Sequence, residues 1–163
     1  MITQTRLKEL LHYDPEMGVF TYRVKTSYRV NVGDVAGCDN GKGYLQIRLD
    51  TVLYKAHRLA WLCVHGSWPR DQIDHINLQR GDNRHVNLRE ATNSENQRNA
   101  LRRSDNTSGA KGVHWNKAHR KWQTYIGVNK KRVSLGYFDR LEDAAAAYAE
   151  ASKRLHKEYG RAA

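Results

Sequence analysis

Apolar positions along this chain recur with two different periods. Leu7, Leu10 and Leu11 share one side of a short opening helix expected over Thr3 to His12. Asp14-Pro15-Glu16-Met17-Gly18 reads as a turn, and Val19 to Val24 as a strand. Gly33, Gly37, Gly41 and Gly43 punctuate a loop-rich stretch. Tyr44 to Leu49 then alternates apolar and polar, as a half-buried strand does. Ala56 to His65 places Leu59, Leu62 and Cys63 on one helical face, with Gly66 as C-terminal cap and Trp68-Pro69 beyond it.

The middle of the chain reads strand, loop, strand, helix. Ile73 to Asn77 is a strand running into a loop, Asn83 to Asn87 loops back, and Leu88 to Ala91 returns. Thr92 and Glu95 have capping-box spacing and predict a helix from Asn93 to about Ala100, with Asn96 in its first two turns. The last third is simpler. Gly112 to Trp115, Lys121 to Gly127 and Arg132 to Gly136 are strand-like, with a hairpin turn expected at Asn129-Lys130-Lys131. Asp139 and Glu142 are placed to cap an alanine-rich helix of about four turns. The fold class is therefore α+β, and this last part is a three-stranded antiparallel sheet packed on one helix.

Composition narrows the function classes. The chain has 163 residues, 39% of them hydrophobic, and a net charge of +11. Residues 101–163 carry 14 Lys+Arg against 6 Asp+Glu, so most of the charge lies there. Such a field favours a polyanionic partner over a membrane surface, since no long helix pairs a basic face with a wide apolar one. The polar stretch Arg102 to Gly109 has a linker's composition. It divides the chain into residues 1–100 (with a strand-rich extension over 1–55), a linker at 101–109, and a second domain at 110–163. Cys38 and Cys63 lack C-x-x-C spacing, which argues against a thiolate zinc site and fits free thiols in a reducing compartment. The first residues read neither as a signal peptide nor as a membrane span, so a cytoplasmic location is expected.

Asp74-His75 is the pair that points to chemistry. A carboxylate holds a hard divalent cation through oxygen, and an imidazole can take a proton from water near neutral pH. Both can address one phosphate only at a strand end, because neighbours on a strand face opposite ways. The nearby amides, Asn77, Asn83, Asn87, Asn93, Asn96 and Asn99, are in most cases loop and cap residues.

Together Ala56-His57-Arg58-Leu59-Ala60-Trp61, Ile73-Asp74-His75-Ile76-Asn77, Asp82-Asn83-Arg84, Asn87-Leu88-Arg89, Ala91-Thr92 and Glu95-Asn96 resemble the HNH endonucleases, in particular the phage and homing branch. The resemblance spans roughly Leu7 to Asn99 and implies a ββα-metal module acting on double-stranded DNA. It implies Asp74 and Asn96 as metal ligands, His75 as general base, and Asn87 as the residue that holds the loop and orients His75. Where many relatives have histidine this chain has Asn96. That H-N-N pattern leans towards Mg²⁺ or Mn²⁺. Arg84 and Arg89 flank the loop as phosphate clamps or as ordinary solvated charges. His57 is read as a packing or phosphate-contacting residue, and His65, His85, His114 and His119 as surface or DNA-facing.

Ser108 to Trp115, Lys121 to Ile126, Arg132 to Phe138 and Glu142 to Tyr148 resemble the AP2 DNA-binding domain, which implies a sheet face laid into the major groove. Alternation sends Val113, Trp122, Thr124, Ile126, Val133 and Leu135 towards the helix. Lys111, His114, Asn116, Gln123, Tyr125, Arg132 and Ser134 then face outward. Gln123 and Arg132 suit base edges, and Lys111 and Lys117 suit phosphates. Plant relatives often have an aromatic at the Ser134 position and an acid at Tyr125, so their base preference does not transfer. The combined reading is a monomeric, metal-dependent, strand-nicking endonuclease of homing type with no protein partner. The alternatives are a DNA-binding regulator with an inactive site and, ranked lowest, an RNA-binding protein.

Overall fold

The computed structural model describes residues 1–101, 105–128 and 131–160. It divides the chain into two compact units, Met1–Asn93 and Ser94–Ala163. Among the described residues no helix is long and apolar enough to cross a membrane, and Cys38 and Cys63 are free thiols.

In the first unit, helix α1 (Gln4–Leu10) starts at Thr3, whose hydroxyl accepts from Arg6 N. The helix expected to reach His12 stops at Leu10. Leu11 turns extended and opens β1 (Leu11–Asp14), which pairs antiparallel with β2 (Val19–Tyr22). The Asp14 carboxylate accepts from the backbone N–H of Glu16 and Met17 in the turn between them, and this hairpin captures Leu11 to Asp14. Gly18 in that turn has φ +70°, and any side chain there would collide with the backbone of Asn83 and Arg84. The turn thus lies directly against the loop that follows Asp74-His75.

A three-stranded sheet follows, in the order β3 (Cys38–Asp39), β4 (Leu45–Leu49), β5 (Val52–Lys55). The β4–β5 connection is the two residues Asp50 and Thr51, both at positive φ, as a tight hairpin of this hand requires. β5 runs straight into α2 (Ala56–His65), which buries Ala56, His57, Leu59, Ala60 and Leu62. As expected, Gly66 closes α2 in the left-handed conformation, its N–H on Leu62 O. The core joins Leu7, Leu10, Leu11, Phe20, Ile47, Leu49, Leu59 and Leu62 with Ile73 and Leu88. Those last two belong to β6 (Gln72–His75) and β7 (Leu88–Ala91), an antiparallel pair that anchors the site to the core. Helix α3 (Asn93–Asn99) comes next in the chain.

The second unit holds β8 (Val113–Asn116), β9 (Lys121–Val128), β10 (Lys131–Phe138) and α4 (Leu141–His156). The sheet is antiparallel in the order β10-β9-β8, and α4 packs on it through Ala144, Tyr148 and Ala151. Gly112, at φ +73°, lies where a side chain would strike the Tyr148 ring. Several expectations need correction. A bulge at Leu135 shifts the register of β10 between Ser134 and Gly136, and Val133, expected inside, is 43% exposed. Asp139 does not cap α4: Arg140 is its N-cap, and Asp139 pairs with Lys121 instead. The unit boundary falls ahead of the polar linker stretch, because Lys111 ties the end of α3 to the second unit through the carbonyls of Arg98 and Ala100. Arg102, Arg103 and Ser104 of that linker, and Asn129 and Lys130 of the expected hairpin turn, lie outside the described residues.

Candidate active site

Asp74 and His75 close β6, buried by the core beneath Ile73 and Leu88. The strand register sets Asp74 opposite Arg89 and His75 opposite Leu88. Asp74 is only 3% exposed; its Oδ2 accepts from Arg89 Nε at 2.9 Å, and Arg89 Nη2 lies 2.8 Å from the same oxygen as an ion pair. Arg89 is therefore not the solvated loop residue that the sequence allows. It is the cross-strand holder of the Asp74 carboxylate.

After His75 the chain leaves the sheet in a loop that hydrogen bonds hold closed. Ile76 N donates to Asn87 O and Leu78 N to His75 O, both at 2.9 Å. Asn87 spans the loop with its side chain: Oδ1 accepts from Asn77 N at 2.9 Å, and Nδ2 donates to Asp82 O at 2.8 Å. Its amide thus links the two ends of the segment that carries His75 (a part an Ala could not play). Asp82 collects the Asn77 amide and the Arg84 guanidinium, and the Arg84 hydrogen bond holds its carboxyl down at about 2. Arg84 remains exposed, but its fork already serves Asp82. Asn83 is almost fully buried, and its carbonyl accepts from Tyr13 Oη at 2.7 Å. A hydrogen bond with Asn83 also acts on His75.

Burial pushes the His75 imidazole below its usual range, with Arg80 acting in the same direction; Asn83, Asp74 and Asp82 oppose the shift. The ring is thereby neutral at pH 7 and able to accept a proton. His57 lies against it, with ring centroids 5.0 Å apart and planes at 89°. His57 is 4% exposed, and its Nδ1 has no hydrogen-bond partner. Burial first, then the charges of His75, Lys55 and Arg58, lower its pKa to about 3. The sequence placed His57 ahead of the site and read it as packing or phosphate-contacting. The arrangement of α2 against β6 makes it the closest ring neighbour of His75 given by the structure. No local signal marks that, because the contact joins residues far apart in the chain.

The folded protein keeps His57 neutral down to about pH 3, whereas the unfolded chain protonates it near 6.5. Below pH 6.5 the unfolded state binds the extra proton, so this contribution to stability is lost as pH falls, at ~1.4 kcal/mol per unit. Urea midpoints measured between pH 7 and 5 are expected to fall. His57→Gln should flatten the slope, and an unchanged slope in that variant would contradict the assignment.

Other sequence-derived residues are placed as follows. Asn96 is half-buried on α3 and belongs to the second unit. His65 stacks on Trp61 at 3.9 Å and lies 5.3 Å from His85, whose Nδ1 is buried. His65 is exposed, as expected, whereas His85 is half-buried. On the sheet of the second unit, His114 stacks on Tyr125 at 5.1 Å, and Arg132, Ser134 and Lys117 are exposed. Gln123 does not present a free amide. It is 6% exposed, accepts from Asn116 Nδ2 at 2.8 Å, and donates to Tyr137 Oη at 2.9 Å. The bulge at Leu135 brings Tyr137 opposite Gln123, so the outer-face group at this position is the tyrosine hydroxyl. The Lys111 ammonium is likewise occupied by the carbonyls of Arg98 and Ala100.

Among the described residues no group of three or more His, Cys, Asp and Glu is placed to hold a metal ion. A closed zinc-type cage is thus not formed by these residues. The Asp74 carboxylate is an oxygen donor of the kind a hard divalent cation takes.

Comparisons with known proteins bear on the same segment. Residues 54–98, which run from the end of β5 through α2, β6 and β7 into α3, match the HNH endonuclease family. The chain is also 32% identical over 112 residues to Protein 3.8 of Escherichia phage T7, a match that covers 66% of this chain and 92% of that protein. No solved structure matches. The chain belongs to the family of phage T7 Protein 3.8, and its residues 54–98 are an HNH endonuclease domain.

Proposed function

We propose that this protein is a metal-dependent DNA endonuclease in which His75 is the general base and Asp74 and Asn96 hold the metal. The observation that carries the reading is a neutral, buried His75 at the end of β6 beside a carboxylate fixed by Arg89. His75 takes the proton of the attacking water as the new P–O bond forms and the bond to the leaving oxygen breaks. Asn87 holds the loop so that the imidazole keeps its place. A bound Mg²⁺ or Mn²⁺ would supply Lewis-acid stabilisation of the phosphoryl and leaving oxygens.

The second unit supplies DNA affinity in this reading. Its AP2-like sheet offers His114, Asn116, Lys117, Tyr125, Arg132 and Ser134 to the major groove, with Arg132 suited to base edges and Lys117 to phosphate. Gln123 contributes by fixing Tyr137. Arg84 would reach phosphate only by exchanging its Asp82 partner, and Lys111 by releasing α3. Tethering raises the concentration of the catalytic module at DNA.

With one Asp74-His75 site per chain and monomeric action in the host cytoplasm, the enzyme is expected to nick one strand, as a homing-type enzyme of this class would. Supercoiled plasmid incubated with the protein and Mg²⁺ should yield nicked circles well before linear DNA. Linear product formed at the same rate as nicked product would count against single-strand action.

A further inference from the structure

Three features of the first unit meet at one aromatic ring beside the two histidines. The Tyr44 ring lies 5.4 Å from His57 and 5.9 Å from His75, centroid to centroid. Lys55 Nζ and Arg80 Cζ each lie 5.1 Å from that same ring centroid. They reach it from separate segments, Lys55 from the end of β5 and Arg80 from the loop after β6. Both cations are exposed, and neither pairs with a carboxylate among the described residues.

Two like charges gathered on one ring repel each other, and a cation–π contact at an exposed site contributes only about 0.5–1 kcal/mol each. An anion between them would remove the repulsion. The rim is also held in place before any ligand arrives. Arg80 Nη1 donates to Lys42 O at 3.1 Å, and the Arg80 stem runs along Gly43, where a Cβ would already be in contact. Lys55 is the N-cap of α2 and makes no side-chain capping bond, so the first N–H groups of a ten-residue helix face the same end. His57, in that first turn, has a buried Nδ1 without a partner.

We propose that Tyr44, Lys55 and Arg80 form a rim that binds a backbone phosphodiester of the DNA next to the one cut, and so sets the scissile phosphate at His75. This rests on the endonuclease reading for its purpose but not for its test. None of the three residues was marked by the sequence motifs as a DNA contact.

The experiment measures binding of the full-length chain to a short labelled duplex in EDTA, across a series of salt concentrations. Each phosphate contact contributes about 0.9 to the slope of log K against log salt. The double variant Lys55→Gln/Arg80→Gln is expected to lower the slope by about 0.9, the contribution of one phosphate, and each single variant by part of that. Tyr44→Leu, which keeps both cations, should weaken binding about twofold to fivefold at fixed salt. Melting curves establish that the variants are folded. Unchanged slopes in the folded single and double variants would overturn the rim, whatever the cleavage assay gives. Absence of cleavage by the parent protein would sink the endonuclease reading and leave these slopes to decide the rim alone.

Discussion

His75→Ala is expected to slow Mg²⁺-dependent cleavage by about 10²–10⁴-fold, the usual contribution of a positioned general base. Binding should change little, because the imidazole is buried between the Tyr44 and His57 rings and is not an exposed charge. The pH dependence gives a second signature. Burial shifts His75 below its ordinary range, so the base remains unprotonated further into acid than a free histidine would. The acid limb of the single-turnover rate should accordingly fall below pH 6.5. A rate in His75→Ala within a few-fold of the parent would remove histidine from the chemistry.

Arg89→Ala is expected to destabilise the first unit by about 3–5 kcal/mol, measured as a shift of the urea midpoint. The reason is burial: Arg89 is 13% exposed and Asp74 3%, and truncating one partner leaves the other charge buried without its counter-ion. The pair is not required for the fold as such. Replacing both partners with apolar residues of similar volume, Asp74→Leu with Arg89→Met, should recover most of the loss. A change below ~0.5 kcal/mol in Arg89→Ala would mean that the carboxylate is solvated, as surface pairs are. Retained stability in that variant would also undercut the role of Arg89 in aiming Asp74.

The parts of this molecule that the sequence discloses are those governed by local rules. Helix α2 is bounded by a glycine that turns left-handed, and β6 and β7 flank a loop rich in amides. Asp74, His75 and Asn87 stand out in the sequence because residue type and order restrict the chemistry they can do. What escaped depends on neighbours distant in sequence. Leu11 suits the apolar side of a helix and of a strand equally, and only the hairpin with Val19 to Tyr22 decides between them. Strand β5 has no local signal, because its turn is Asp50-Thr51, not one of the glycine-containing pairs that mark a two-residue hairpin. Arg89 looked like a loop charge until register set it across from Asp74. Gln123 follows its alternation onto the outer face, yet Asn116 and a tyrosine moved by one bulge cover it.

The cations beside the Tyr44 ring show the same limit. Lys55 acts on His57 from two residues away in the chain, whereas Arg80 reaches His75 and the Tyr44 ring from the loop after β6.

The most direct measurement of the central claim is conversion of supercoiled plasmid by the full-length protein with Mg²⁺ or with EDTA, run beside Asp74→Ala. Cleavage by the parent protein is expected with Mg²⁺ only, and none above background by Asp74→Ala while it still binds DNA. Parent protein that binds DNA but leaves it intact with metal, or Asp74→Ala that cuts at the parent rate, would contradict it.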